Sequence, residues 1–155
     1  MKPRPMPTGS DYVADAVALG VDAVMIDRLV RHFYAEVRLD AVLGPIFEAR
    51  IADWEPHLGR MCAFWSSVML RTGTYHGQPM PMHARLPVDG AHFDRWFELF
   101  ETSARQVCGD AASLFIDRAH RIAQSLELGI ASSRGLILRT DERLPPLALT
   151  EGAAS

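Results

Sequence analysis

This sequence has little cysteine, no long apolar run, no block of one charge sign and no glycine-rich loop, and each shortage removes a class of function. Cys62 and Cys108 are its only thiols, far apart and outside any Cys-x-x-Cys spacing, so no zinc site is indicated and both read as small buried hydrophobes. No apolar stretch approaches the roughly 20 residues that a membrane-spanning helix needs, and the proline-rich start lacks the continuous apolar segment of a signal peptide. The expected location is the cytoplasm, with no membrane partner. A formal net charge of −3, with both signs mixed along the chain, gives no basic stripe for a phosphate backbone, which argues against nucleic acid as a partner. A phosphate-cradling loop, a supported Ser-His-Asp pattern and a paired-carboxylate signature are all missing, so hydrolysis and phosphoryl transfer have no support.

What is present suits one core. At 155 residues, 48% hydrophobic and 23% charged, the chain has the balance of a single globular domain. Strand-like alternation is nowhere sustained, and helical periodicity is, so an all-α fold is expected. Prolines at 3, 5 and 7 exclude regular helix from the start, and residues 1–20 read as a partly disordered extension in which Ser10 or Asp11 caps a short Ala-rich helix ending near Gly20. Residues 21–130 form the expected domain, and 131–155, rich in Ser, Gly, Pro and charge, a weakly packed tail.

Within the domain, a helix from about Asp22 to Arg38 places Ile26, Leu29, Val30, Phe33 and Val37 on one face, with Tyr34 at its flank. Gly44-Pro45 breaks the next segment and leaves Ile46 and Phe47 at a corner. Asp53 is placed to cap a helix reaching about Arg71, along which Leu58, Met61, Trp65, Val68 and Met69 cluster and His57 sits at the edge of the stripe. The stretch from Thr72 to Pro87 holds too many glycines and prolines for more than a short helical turn, and His83 stands inside it. Asp89 then opens a helix to about Val107 with Phe93, Trp96, Phe97, Phe100 and Ala104 inward, and Asp110 a last one with Phe115, Ala119, Ile122, Ala123 and Leu126 inward.

Three kinds of residue could carry chemistry. His83 is pinned between Pro81 and Pro87, a stiff setting that suits a metal ligand, whereas His32, His76, His92 and His120 have no such setting. His57 at the rim of an apolar face either finishes a core or looks into what the face covers; the spacing of His57 and His83 matches no usual zinc pattern. Tyr34 and Trp96 differ from the core phenylalanines because a buried phenol hydroxyl and a buried indole N–H must each find a partner, and two such groups facing one apolar cavity could serve a partly negative ligand atom.

A set of segments in this order resembles the truncated haemoglobins, and within them the third group. The matching residues are Phe33-Tyr34-Ala35-Glu36-Val37-Arg38, Leu43-Gly44-Pro45-Ile46-Phe47, Trp54-Glu55-Pro56-His57, Phe64-Trp65, Tyr75-His76-Gly77-Gln78-Pro79, His83-Ala84-Arg85-Leu86-Pro87 and Phe93-Asp94-Arg95-Trp96-Phe97-Glu98-Leu99-Phe100. The resemblance covers about Asp22 to Ile130 and implies a shortened globin fold, helices stacked two over two around haem b, with the first helix reduced or missing. It implies that His83 is the proximal ligand of the iron, that Phe47 packs on the porphyrin and that Phe93 touches it. Tyr34 and Trp96 would form the distal hydrogen-bonding pair, His57 the distal histidine or gate, and Met61 the wall beside it, at a position where a branched aliphatic is more usual.

The implied ligands are oxygen, carbon monoxide and nitric oxide, with the distal position left open. Two donors to a polar bound gas imply slow release, which suits chemistry on the ligand better than delivery; nitric oxide dioxygenase-like or peroxidase-like activity, with an unidentified reductant, is the enzymatic version of this reading. The alternative is a haem-free globin-like helical module for sensing or interaction, in which Tyr34, Trp96 and His57 merely complete a core.

Overall fold

The computed structural model describes residues 9–75, 77, 86–139 and 141–146, and within them every regular element is helical. The helices are α1 (Gly9–Ala18), α2 (Ala23–Leu39), α3 (Gly44–Arg50), α4 (Trp54–Leu70), α5 (Gly90–Val107) and α6 (Ala112–Ser133), with a 3-10 turn at Gly109–Ala111 before the last. Helices α2 and α4 pack as one pair and α5 and α6 as another, and α2 lies against α5 so that the two pairs stack.

Two caps set the helices that matter most for the site. The Asp22 carboxylate accepts the Met25 amide at 2.8 Å and starts α2. At α5 the Asp89 carboxylate accepts the amides of Ala91 (2.8 Å) and His92 (3.3 Å), while the His92 Nδ1 accepts the Asp89 amide at 3.0 Å. Two otherwise orphaned donor sets are thus satisfied reciprocally, an arrangement whose side-chain half contributes about 1 kcal/mol.

Elsewhere local chemistry departs from expectation. Ser10 and Asp11 fall inside α1 instead of preceding it. Asp53 holds the extended backbone of an N-cap without a side-chain bond to the helix. Asp110 lies within the 3-10 turn, and α6 starts at Ala112 with no side-chain cap. Gly44-Pro45 opens the short helix α3, because proline in a first turn forfeits only an amide that lacks an intrahelical partner. Glycine is needed there for a different reason: a Cβ on Gly44 would stand 2.9 Å from the Arg38 carbonyl oxygen, where the α2–α3 corner folds back on itself. Helix α6 continues past Gly129 to Ser133, and Leu144 beyond it is only 2% exposed, so this part of the tail is docked and not loose.

The core is built around Phe100 of α5. Its ring stacks on Trp65 of α4 at 5.0 Å and on Trp96, one turn earlier, at 5.5 Å, and meets the edge of Phe33 from α2 at 5.3 Å. Three helices therefore converge on one aromatic group that also fixes the plane of Trp96.

The α2–α3 corner is tied to α5 by the buried Asp40 carboxylate. It accepts Arg95 Nη2 at 2.6 Å and Nε at 2.7 Å, and the amides of Leu43 and Val42 at 2.9 and 3.0 Å. Desolvation alone would raise the pKa of Asp40, but the Arg95 guanidinium and the two amides outweigh it and hold the carboxyl below its ordinary value. A depressed folded-state pKa stabilises above the unfolded value, about 3.9, and is lost as pH falls through the folded one. Asp40→Ala is therefore expected to cost about 2 kcal/mol at pH 7, with the gap to the parent protein closing as urea titrations are repeated at progressively lower pH below about 4.

Candidate functional site

Each of the four longer helices sends its apolar stripe toward one space, a cavity of about 410 Å³. Phe33 and Tyr34 come from α2, Ile46 and Phe47 from α3, and Met61, Phe64 and Trp65 from α4 with His57 one turn before Met61. Phe93 and Trp96 enter from α5, and Ile122, Ala123 and Leu126 from α6, where the i, i+1, i+4 spacing puts them on one face. Six residues singled out in the sequence, Tyr34, Phe47, His57, Met61, Phe93 and Trp96, thus line one cavity although they span some sixty positions of chain. The seventh, His83, lies outside the described residues; the chain on either side of it, at Gly77 and again at Leu86, belongs to the wall.

On the α2 side the polar groups are framed by rings. Tyr34 is 7% exposed and meets His57 edge to face at 4.9 Å and Phe47 at 6.0 Å. Trp54 stands behind both, 5.6 Å from His57 and 5.9 Å from Tyr34, with the Arg38 guanidinium 4.5 Å over its own ring. Burial pushes the Tyr34 phenol well above its ordinary value, which keeps it protonated and able to donate at any physiological pH. Phe33 lies edge-on between the two donor-bearing rings, 4.9 Å from Tyr34 and 5.5 Å from Trp96.

The sequence had not marked Arg60, His92 or Tyr75 as site residues, and all three line the cavity. Arg60 is exposed, and among the described residues it is the single Lys or Arg on the wall. Its place was readable in retrospect, since it lies three residues after His57 on the same helical face. Tyr75, set edge to face with Phe64 at 5.2 Å, follows the end of α4 and carries no periodic signal. Among the described residues no group of three or more His, Cys, Asp or Glu side chains is arranged to hold a bare metal ion.

The comparisons with known proteins bear on the fold and the family. No family model matches the chain. The group 3 truncated hemoglobin ctb of Campylobacter jejuni is 34% identical to it over 108 residues, 66% of this chain and 85% of that protein. The crystal structure of a group III truncated hemoglobin from the same organism superposes with a TM-score of 0.66 at 33% identity, over 68% of this chain and 88% of that one. A structure of a triple mutant of ASV-TfTrHb covers 82% of this chain and 94% of its own with a TM-score of 0.53 at 17% identity, a likeness of fold alone.

Proposed function

The chain belongs to the group 3 truncated haemoglobins, and we propose that its cavity holds haem b with His83 as the protein ligand and receives a diatomic gas on the side of Tyr34 and Trp96. The observation that carries the reading is the cavity itself: about 410 Å³ of space within the roughly 300–1,000 Å³ usual for cofactor sites, walled by apolar and aromatic side chains from five helices. A helical module with only a structural role would fill that volume with its own side chains, because protein interiors pack to crystal-like density. The wall also fits the cofactor's chemistry, since phenylalanines 47 and 93 suit a flat apolar macrocycle and Arg60, exposed at the rim, suits the carboxylates at its edge.

When bound, haem would supply an iron able to take a ligand from the protein and to bind a diatomic gas. The chain's own part is to hold and to select. A neutral imidazole at His83 offers the lone pair an iron ligand requires. Tyr34 and Trp96 offer an O–H and an N–H to a ligand that carries partial negative charge, and the aromatic frame around them keeps water out. His57, edge-on to Tyr34, borders the same space from the first turn of α4 and acts as the gate.

Titrating the purified full chain with haem and recording the visible spectrum tests the proposal. Stoichiometric uptake, with a ferrous form whose spectrum changes on adding carbon monoxide, is expected; a chain that takes up no haem while remaining folded would return the reading to the haem-free module. In the loaded protein, His57→Ala is expected to raise the carbon monoxide association rate after flash photolysis by more than it changes dissociation, because the gate is lost while both donors remain. An unchanged association rate removes His57 from that role.

A further inference from the structure

Residues 86–89, just before α5, are irregular, so their carbonyls have no helical ladder to satisfy them. Arg134, just past α6, fills that need. Its Nη2 donates to the Leu86 carbonyl at 2.8 Å and its Nη1 to the Val88 carbonyl at 3.2 Å. The next turn of the same segment is held from farther along the tail. Arg143 donates to the Gly90 carbonyl at 3.0 Å while its guanidinium pairs with Glu127 at 2.9 Å and Asp94 at 2.8 Å. The Gly90 amide donates to the Leu144 carbonyl at 2.8 Å, and the Leu144 amide to the buried Glu127 carboxylate at 2.8 Å. The fit is close enough that a Cβ on Gly90 would stand 2.9 Å from the Arg143 Cβ.

Below these bonds Leu144 packs with Val88, Ile130 and Ala131, and Ile46, Leu86 and Phe93 join the same cluster. Ile46, Leu86, Val88 and Phe93 are also part of the cavity wall. One side of this small cluster is therefore the wall and the other is the C-terminal segment.

We propose that Arg134, Arg143 and Leu144 are positioning residues: they clamp Leu86–Gly90 and so fix the approach of the chain that bears His83, which sets how long the cofactor is retained. The proposal rests on His83 being the ligand. A tethered ligand stays in place only as firmly as the backbone that carries it, and one planar guanidinium holds two carbonyls in a fixed fork, whereas a lysine's ammonium, a rotatable point charge on a flexible stem, fixes their geometry less well.

The test follows haem loss from the full-length holoprotein to an excess of haem-free myoglobin. Arg134→Ala is expected to speed loss about tenfold, the value of one charge-assisted hydrogen bond at the low end of its range, and Arg134→Lys to fall between it and the parent. Both are then repeated in a His83→Gly background saturated with free imidazole, where the ligand is no longer tethered; there Arg134→Ala should change the rate by less than about twofold, since coupled sites lose their effect when the partner is gone. Equal acceleration in both backgrounds would mean that Arg134 merely supports the wall, and no acceleration in the native background would mean that it grips nothing that matters; either result overturns the clamp. If His83→Gly alone releases haem no faster than the parent, the ligand assignment fails and takes the clamp with it, an outcome distinct from the first two. Should Arg134→Ala not fold by circular dichroism, Arg134→Lys, which keeps the charge, carries the same comparison.

Discussion

His83→Gly is expected to loosen haem by more than about a hundredfold, because losing even an outer partner of a metal ligand costs about 10–100-fold in affinity and this variant removes the ligand itself. The ferrous spectrum should change at the same time, and free imidazole should restore much of it by filling the vacated position. Haem transfer rates with and without imidazole measure both effects in one experiment. His57→Ala is the matched control: His57 sits on the wall beside Tyr34, and if it is a gate its loss leaves haem affinity near the parent value. A reversed result, with haem lost from His57→Ala and retained by His83→Gly, would exchange the two roles and place the iron's protein ligand on the α2–α4 side of the cavity. Unchanged affinity in both variants would leave the cavity without a protein ligand and sink the haem reading as stated.

The helices were legible in the sequence wherever burial has a local period. In α2 the stripe Ile26, Leu29, Val30, Phe33 and Val37 is buried as its spacing requires, and Tyr34 beside it is buried too. Helix α5 was legible for a second reason, since Asp89 caps it with a bond pattern that a single residue can supply. Legibility failed where the same residue types have two uses. Pro45 breaks a helix interior but begins one equally well, so α3 read as a corner. Asp110 had the look of a cap and instead lies in a 3-10 turn. The docked tail was hidden for a deeper reason: its stability comes from Arg134 and Arg143 meeting carbonyls and carboxylates up to 53 positions away, and no window of sequence displays such a pairing. Leu144, set between a charged run and two prolines, gives no periodic signal, although it is among the most buried side chains described. The site residues were a mixed case. Aromatic faces pointed to Phe93 and Trp96 as inward residues, the prolines around His83 marked it as a candidate metal ligand and the Gly44-Pro45 break put Phe47 at a corner, but the specific roles toward haem came from the family resemblance.

Tyr34→Phe and Trp96→Phe should each speed oxygen release from the loaded protein about tenfold, the effect of one hydrogen bond worth roughly 1–1.5 kcal/mol. Carbon monoxide is less polar and should be released with much smaller changes, which separates hydrogen bonding from packing. The Tyr34 substitution is the cleaner of the two, because phenylalanine keeps the ring that meets His57 and Phe47 and deletes only a hydroxyl held protonated by burial. At Trp96 a smaller ring also gives up part of the stack on Phe100, so some acceleration common to both gases is expected there and the oxygen-specific part is the excess over carbon monoxide. The two donors are not independent: Phe33 lies edge-on to both rings, at 4.9 Å from Tyr34 and 5.5 Å from Trp96, and both would serve one small acceptor. The double variant should therefore release oxygen faster than either single one but by less than the roughly hundredfold product of two tenfold effects. Stopped-flow displacement of oxygen and of carbon monoxide in the four proteins gives the complete cycle. Equal acceleration for both gases in Tyr34→Phe, where packing is preserved, would show that the phenol does not donate to the ligand and would leave Trp96 as the single distal donor.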